Sequence, residues 1–315
     1  MVLTTLTALM FLGGAGACVN SALYTSRTEA ALPPLGDLIP VGDGLVHVIQ
    51  EGETGPPVLM IHGASANARE FTETLAPSLS RSHRVLMADR PGHGYSDRVS
   101  NSEQLDAQAA QLAGALDHAA PGEKAVLVGH SFGGAVALRL ALDRPDLVGG
   151  VVLLAPVTHD WGADSGAWYN AYAGPPVIGH AFTQLVPIVG PASVKSGIKG
   201  VFHPQPAPAD YFDSSGVALL FRPSEFRANA RDVNALRAEV AAQQTRYGEL
   251  DVPIVVFSGA KDTVLKPQLH AARLVKDAPR VELVKLPETG HMPHHAHGLE
   301  IVEAITRLSA IESVQ

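Results

Sequence analysis

Ala125-Val126-Leu127-Val128-Gly129-His130-Ser131-Phe132-Gly133-Gly134-Ala135-Val136-Ala137-Leu138 is the stretch on which the fold turns. Its first four residues are a short apolar run, as expected of a buried strand. From Ala135 to Leu142 the spacing is helical, and it stops before Pro145. Between strand and helix stands Gly129-His130-Ser131-Phe132-Gly133, a Gly-x-Ser-x-Gly pattern. The pattern alone arises by chance in glycine-rich chains. Here it sits in the strand-to-helix context that a strained serine turn requires. Small neighbours at Gly129 and Gly133 let the backbone close around Ser131. The serine oxygen is then presented at the helix N-terminus, which favours developing negative charge.

A serine at its free pKa needs a base. Of 14 histidines, His291 stands in Glu288-Thr289-Gly290-His291-Met292-Pro293, after the last apolar strand-like run, and is read as the general base. The acid belongs after a strand between the two. Asp262, following Val255-Val256-Phe257-Ser258-Gly259-Ala260-Lys261, fits and would hold the imidazole tautomer. Asp160 is the rival position. Asp251 precedes its strand and lies at the wrong end. Two backbone donors are needed for a tetrahedral oxyanion. They are assigned to Phe132, after the serine, and to Ala64 in Ile61-His62-Gly63-Ala64-Ser65. The Ser65 hydroxyl is read either as a pocket group or as a cap for the next helix. His294, His295 and His297 resemble a metal cluster. No paired carboxylate or cysteine accompanies them, so they are read as a solvated loop and helix start, and no metal or organic cofactor is expected.

Working outward, apolar runs alternate with helical stretches. Strands are expected at Leu45–Gln50, Pro57–Ile61, Arg84–Ala88, Ala125–Val128, Val151–Leu154, Pro253–Ser258 and Val281–Leu286. Helices are expected at Ser102–Ala119, Ala135–Leu142, Phe226–Tyr247, Gln268–Asp277 and Leu299–Ile311. Continuous apolar strands between helices imply an α/β fold with a mostly parallel sheet covered on both faces. From Val157 to Tyr247 the rhythm breaks and prolines are frequent. This insertion of roughly 90 residues after the sixth core strand reads as a lid or cap. The organisation expected is an N-terminal segment 1–26, core 27–156, cap 157–247 and core 248–315.

Composition limits the partners. The chain of 315 residues has 23 Lys+Arg against 31 Asp+Glu, a net charge of −8. That argues against nucleic acid, whose phosphates need clustered cations. A single cysteine, Cys18, excludes an internal disulfide framework. Residues Met1 to Ser26 carry no charge. Val2 to Val19 is mostly apolar and just long enough to cross a bilayer at about 1.5 Å per residue. It is read as a single-pass membrane anchor. A cleaved signal or lipoprotein signal ending near Ala15-Gly16-Ala17-Cys18 and a simple terminal helix are the alternatives. Ala30 to Gly36, with two prolines, reads as a linker. Oligomeric state is not readable.

Taken together, His62-Gly63, Asp89-Arg90-Pro91-Gly92-His93-Gly94-Tyr95-Ser96, Gly129-His130-Ser131-Phe132-Gly133-Gly134, Gly259-Ala260-Lys261-Asp262 and Gly290-His291 resemble the α/β-hydrolase fold family. The resemblance is to its capped branch of serine esterases and lactonases. It runs from about Gly36 to the C-terminus, with the cap matching only as a cap. It implies an eight-stranded-type sheet with the triad Ser131, Asp262, His291, and structural roles for His93 and His130. Haloalkane dehalogenases and epoxide hydrolases are similar but place aspartate at the nucleophile position, and dienelactone hydrolases place cysteine there. Carbon–carbon bond hydrolases keep serine, but Ala64-Ser65-Ala66-Asn67 departs from their glycine-rich stretch. Cofactor-free haloperoxidase-like enzymes share all three triad residues.

The cap carries the substrate clue. Eleven of the chain's aromatic residues (2 Trp, 6 Tyr and 9 Phe in all) fall between Val157 and Tyr247. They fit an apolar pocket lid, a small core of the cap itself, or both. Trp161, Trp168 and Tyr169 are the candidate pocket residues. The expected substrate is an apolar small-molecule ester or lactone. Acyl transfer, perhydrolysis and carbon–carbon hydrolysis on the same triad are the alternatives, with a non-catalytic binding role behind them.

Overall fold

The computed structural model describes residues 2–162 and 167–312, with backbone only for residues 2–12, 311 and 312. Eight strands form one sheet: β1 (Asp37–Val41), β2 (Gly44–Glu51), β3 (Pro57–Ile61), β4 (Arg84–Ala88), β5 (Ala125–His130), β6 (Val148–Leu154), β7 (Ile254–Gly259) and β8 (Val281–Leu286). Their order is β1-β2-β4-β3-β5-β6-β7-β8. β1 and β2 pair antiparallel, as do β2 and β4, and every other pairing is parallel. The helices are α1 (Val2–Ala31), α2 (Ala76–Leu79), α3 (Leu105–Ala119), α4 (Phe132–Asp143), α5 (Asn170–Ala173), α6 (Pro176–Thr183), α7 (Val186–Phe202), α8 (Tyr211–Ser214), α9 (Pro223–Gln243), α10 (Ala271–Asp277), α11 (Pro293–Ala296) and α12 (Gly298–Glu312).

Strand alternation sorts the core into two layers. Leu59, Ile61 and Leu127 point to the face covered by α3, α4 and α10. Val58, Met60, Val126 and Val128 point to the face covered by α2 and α12. The central strands β3, β5, β6 and β7 are buried along their whole length. That explains why they read as unbroken apolar runs rather than alternating ones.

Two sequence expectations change. β1 was not expected, and its partner β2 begins one residue earlier than the run Leu45–Gln50. Pro40 sits in β1 where the strand pairs on one side only, the place where a sheet tolerates proline. Helix α1 reaches Ala31 and so enters the expected linker, ending ahead of Pro33. Among the described residues no single helix is long and apolar enough to cross a membrane. The side chains of the first part of the expected Val2–Val19 span lie outside the described residues.

Between β6 and β7 the chain forms α5 to α9. Phe202, Tyr211, Val217 and Phe221 make a small separate core there, joined by Met292 and by Tyr24 of α1.

Candidate active site

Ser131 lies between β5 and α4 at φ 52°, ψ −114°, a strained conformation for a residue with a side chain. The turn closes only on glycine. A Cβ on Gly129 would stand 2.5 Å from the Gly133 carbonyl oxygen, and one on Gly133 would stand 2.1 Å from that of Ile61. The strain thus aims the Ser131 hydroxyl away from the sheet, at the N-terminus of α4.

His291 Nε2 lies 3.1 Å from Ser131 Oγ, and His291 Nδ1 lies 2.8 Å from Asp262 Oδ2. The second oxygen of Asp262 accepts from the amides of Val264 (2.8 Å) and Leu265 (2.9 Å). The carboxylate is therefore fixed in the turn after β7 before it meets the imidazole. His130 Nε2 donates to the His291 carbonyl at 3.0 Å and its ring packs on His291, which holds the loop after β8. Asp160, the rival acid, faces Arg237 (2.7 Å) and its own Gly162 amide instead.

The amides of Ala64 and Phe132 have no protein acceptor among the described residues, and both residues line the hollow at Ser131. The Phe132 ring is covered by the Arg90 guanidinium at 4.1 Å. Arg90, fully buried, donates to Asp232 Oδ2 (3.1 Å), Gln108 Oε1 (2.9 Å) and the Gly63 carbonyl (3.2 Å). Burial lowers its pKa to about 10 against the attraction of Asp232. The arginine of the Asp-Arg-Pro-Gly motif thus ties the loop carrying Ala64 to helix α9.

A cavity of about 360 Å³ opens at Ser131, lined by Val157, Trp161, Ala167, Val233, Leu236, Val264, Leu265, Lys266, Leu269 and His270 beside Ala64 and Phe132. Two larger hollows, of about 540 and 480 Å³, touch none of the triad residues. The cavity at the serine is singled out by its chemistry, not its size. His270 Nδ1 accepts from the amides of Thr158 and His159 (3.3 Å each). Burial pulls its pKa down to about 4, so it is a neutral member of the wall.

Of the four expected pocket residues, only Trp161 lines this cavity. Ser65, at φ 60°, is held by Asn229, which accepts from its amide (2.7 Å) and donates to its hydroxyl (3.2 Å). It neither faces the cavity nor caps a helix; Asn67 caps the next turn. Trp168 is 71% exposed and packs with Tyr169, Tyr172 and Phe182 on the outside of the cap. Tyr169 leans on Phe226. Their aromatic content serves the cap's own packing. The residues missed were the apolar face Val233 and Leu236 of α9 and the Val264–His270 segment. Both were detectable, the first by its spacing along a helix and the second by its nearness to Asp262.

The histidines after His291 also differ from expectation. His294 is buried, and His294 Nε2 and His295 Nε2 both contact Glu70 Oε1, at 2.8 and 2.9 Å. His297 bonds Thr289 Oγ1 (2.8 Å) and Glu300 (3.0 Å). Helix α11 brings the first two inward, so a solvated loop is the wrong description of them.

A model of the Alpha/beta hydrolase family matches residues 58–304. The polyketide synthase ThaQ of Burkholderia thailandensis is 29% identical over 276 residues, 87% of this chain but 13% of that protein. The chain therefore spans only a small part of that relative. A 2-hydroxy-6-oxo-6-phenylhexa-2,4-dienoate hydrolase of Burkholderia cepacia is 26% identical over 270 residues, 84% of this chain and 89% of that enzyme. Among solved structures, a bacterial membrane phospholipase A superposes with a TM-score of 0.68 at 20% identity, covering 98% of both chains.

Proposed function

Because this chain belongs to the alpha/beta hydrolase family, we propose that it is a serine hydrolase cleaving a carboxylic ester or lactone of an apolar small molecule. One observation carries the reading: Ser131 Oγ, His291 Nε2, His291 Nδ1 and Asp262 Oδ2 form a continuous chain of contacts at the floor of a mostly apolar cavity. Ser131 attacks the acyl carbonyl while His291 Nε2 takes its proton. The amides of Ala64 and Phe132 hold the oxyanion. The C–O bond to the alcohol then breaks, with His291 returning the proton to the leaving oxygen. Water, deprotonated by the same nitrogen, cleaves the acyl-enzyme and frees Ser131. Asp262 keeps the proton on Nδ1 and stabilises the imidazolium. The charge-free run at residues 2–19 supports, within the same proposal, tethering to a membrane by the N-terminus.

A second reading is carbon–carbon bond hydrolysis, favoured by the likeness to the dienoate hydrolase over 89% of that enzyme. The test is fluorophosphonate labelling of the full chain with peptide mass spectrometry. A p-nitrophenyl ester chain-length series and a 2-hydroxy-6-oxodienoate run beside it. An adduct on Ser131 with ester turnover lost in Ser131→Ala supports the esterase. Turnover of the dienoate alone moves the assignment to the second reading. No adduct and no turnover overturns both.

A further inference from the structure

Behind the triad, two elements far apart in sequence bring Glu70, His294 and His295 together. Glu70 stands in the turn Ala68–Phe71 after β3, and both histidines stand in α11. The ligand-capable atoms of the three residues lie within 4.8 Å of one another. The sequence offered the histidines without a carboxylate; the fold supplies one from 224 residues away. We propose that Glu70, His294 and His295 form a binding site for one divalent transition-metal ion of the zinc type, separate from the reaction centre.

Two imidazoles and one carboxylate are the donor set such ions take, and a fourth position is left for water. Zinc sits about 2.0–2.1 Å from a histidine nitrogen and about 2.0–2.2 Å from a carboxylate oxygen. Tetrahedral ligands are then roughly 3.4 Å apart. The Glu70 oxygen lies 2.8 and 2.9 Å from the two nitrogens. An opening of about half an ångström, within ordinary side-chain movement, admits the ion.

Direct hydrogen bonds from both histidines would also occupy Glu70, so the deciding observation lies on the other side of the ring. With Nε2–H donating to Glu70, His294 Nδ1 carries a lone pair, and it has no partner although buried. The adjoining ring is His130, centroid 4.8 Å away. Its Nε2 donates to the His291 carbonyl, so its Nδ1 is also a lone pair, and it too is buried without a partner. Each of the two rings thus keeps a buried acceptor without a donor, which is costly. A metal on His294 Nε2 moves that ring's proton to Nδ1. His294 Nδ1 then ceases to be a buried acceptor without a donor, and no net proton is gained or lost. Metal-bound histidines ordinarily donate their second nitrogen in this way.

Tyr211 completes the surroundings. Its hydroxyl donates to Glu70 Oε2 at 2.7 Å. The carboxylate is thus oriented, with Oε2 held by Tyr211 and Oε1 turned to the two imidazoles. His295 keeps some exposure and gives the ion a route in. An ion here would pin the cap, through Tyr211, to the segment that follows His291. Its role is structural, and it touches no reacting atom.

The full-length protein, stripped with a chelator and dialysed, is titrated with Zn²⁺ by calorimetry and with Co²⁺ by visible absorption. One ion per chain is expected, with a tetrahedral Co²⁺ spectrum. Tm should rise by about 5 °C when the ion is at 100 times its Kd. Glu70→Gln and His295→Ala should weaken binding by about 100-fold or more, beyond the 10–100-fold typical of outer-shell partners. Ser131→Ala should bind as the wild type does, which keeps this result independent of the hydrolase reading. Absence of saturable binding below millimolar Zn²⁺ overturns the proposal, as does unchanged affinity in both variants. Should neither variant fold, the wild-type Co²⁺ spectrum decides: tetrahedral bands support the site, and the weak octahedral spectrum of an exposed ion overturns it.

Discussion

The sheet and the cap are built from the same chain by opposite means. The sheet buries side chains in two continuous apolar layers, and its four central strands have no exposed residue. The cap buries a small aromatic cluster of its own, lends Leu236 and Val240 of α9 to the platform core, and leaves Val177, Ile178, Ile188 and Val189 in solvent. Between the two lies a largely polar seam. Arg90 and Arg98 grip Asp232 of α9, Asn229 holds Ser65, Asn67 donates to the carbonyls of Ser215 and Gly216, and Tyr211 holds Glu70. Apolar contact is tolerant of sliding, whereas a buried ion pair has one geometry. The cap is therefore set in register over the serine rather than merely held against it.

The sharpest division of labour is chemical. Ser131 belongs to the platform, and among the described residues its hydroxyl bonds only His291 Nε2. Ser131→Ala should lower kcat for an ester at least about 10⁴-fold. It should leave the urea midpoint unchanged or higher, because alanine removes the reactive group without a cavity. A variant retaining a tenth of the activity would place the nucleophile elsewhere.

The seam comes next. Asp232→Ala leaves Arg90 buried with its charge uncompensated. The expected cost is about 3–5 kcal/mol by urea denaturation, together with a rise in KM as Leu236 and Val233, on the same helix, lose their position. A cost below 1 kcal/mol would mean that the cap is seated by its apolar contacts after all.

This contrast also explains what could be read from sequence. Strands β3, β4 and β8 match their expected runs to the residue; in β3 and β4 burial on both faces demands apolar continuity, while the edge strand β8 keeps Val281, Leu283, Val284 and Leu286 around an exposed Glu282 and Lys285. β1 escaped because an edge strand with Pro40 and a charged Asp37 carries no such run. The two-residue Gly42-Asp43 turn into β2 was its available signal. Ser131, Asp262 and His291 were legible because each follows a strand in a motif of fixed length. Glu70 with His294, or Asn229 with Ser65, depends on pairings across 224 and 164 residues. No local pattern encodes such pairs. The cap aromatics misled for a related reason: composition indicates that a small core exists, not which rings turn toward the cavity.

Acid should find the platform before the cap. Burial, with Arg90 adding to it, pulls His62 down to about 3. His93 and His130 are likewise lowered by burial. In the unfolded chain these histidines take up protons near pH 6.5, while the folded chain keeps them neutral. Between about pH 6.5 and 3 the unfolded state thus binds more protons, and stability falls as pH falls. His62 alone accounts for about 2 kcal/mol by pH 5, at about 1.4 kcal/mol per pKa unit. Calorimetry at pH 7.5 and pH 5.0 should show a clear drop in Tm. A flat Tm would mean that water or a counter-charge reaches these rings.

The smallest expected effect tests the outer face of the cap. Val177 is 83% exposed on α6, so Val177→Ser removes no packed contact. Its cost should stay within about 0.5 kcal/mol. Leu236→Ala, on the cap helix that meets the platform, removes a side chain 5% exposed and should cost about 2–5 kcal/mol. The pair of numbers measures how one-sided the cap is. If Val177→Ser costs as much as Leu236→Ala, something covers α6 in solution, and the cap is held from above as well as below. A second copy of the chain would be the first candidate, and sedimentation of the variant beside the wild type would reveal it as a loss of mass. If the two costs differ as expected, the exposed valines and isoleucines contribute nothing to folding, and the cap is held from the platform side by the seam, its small aromatic core and the apolar face of α9.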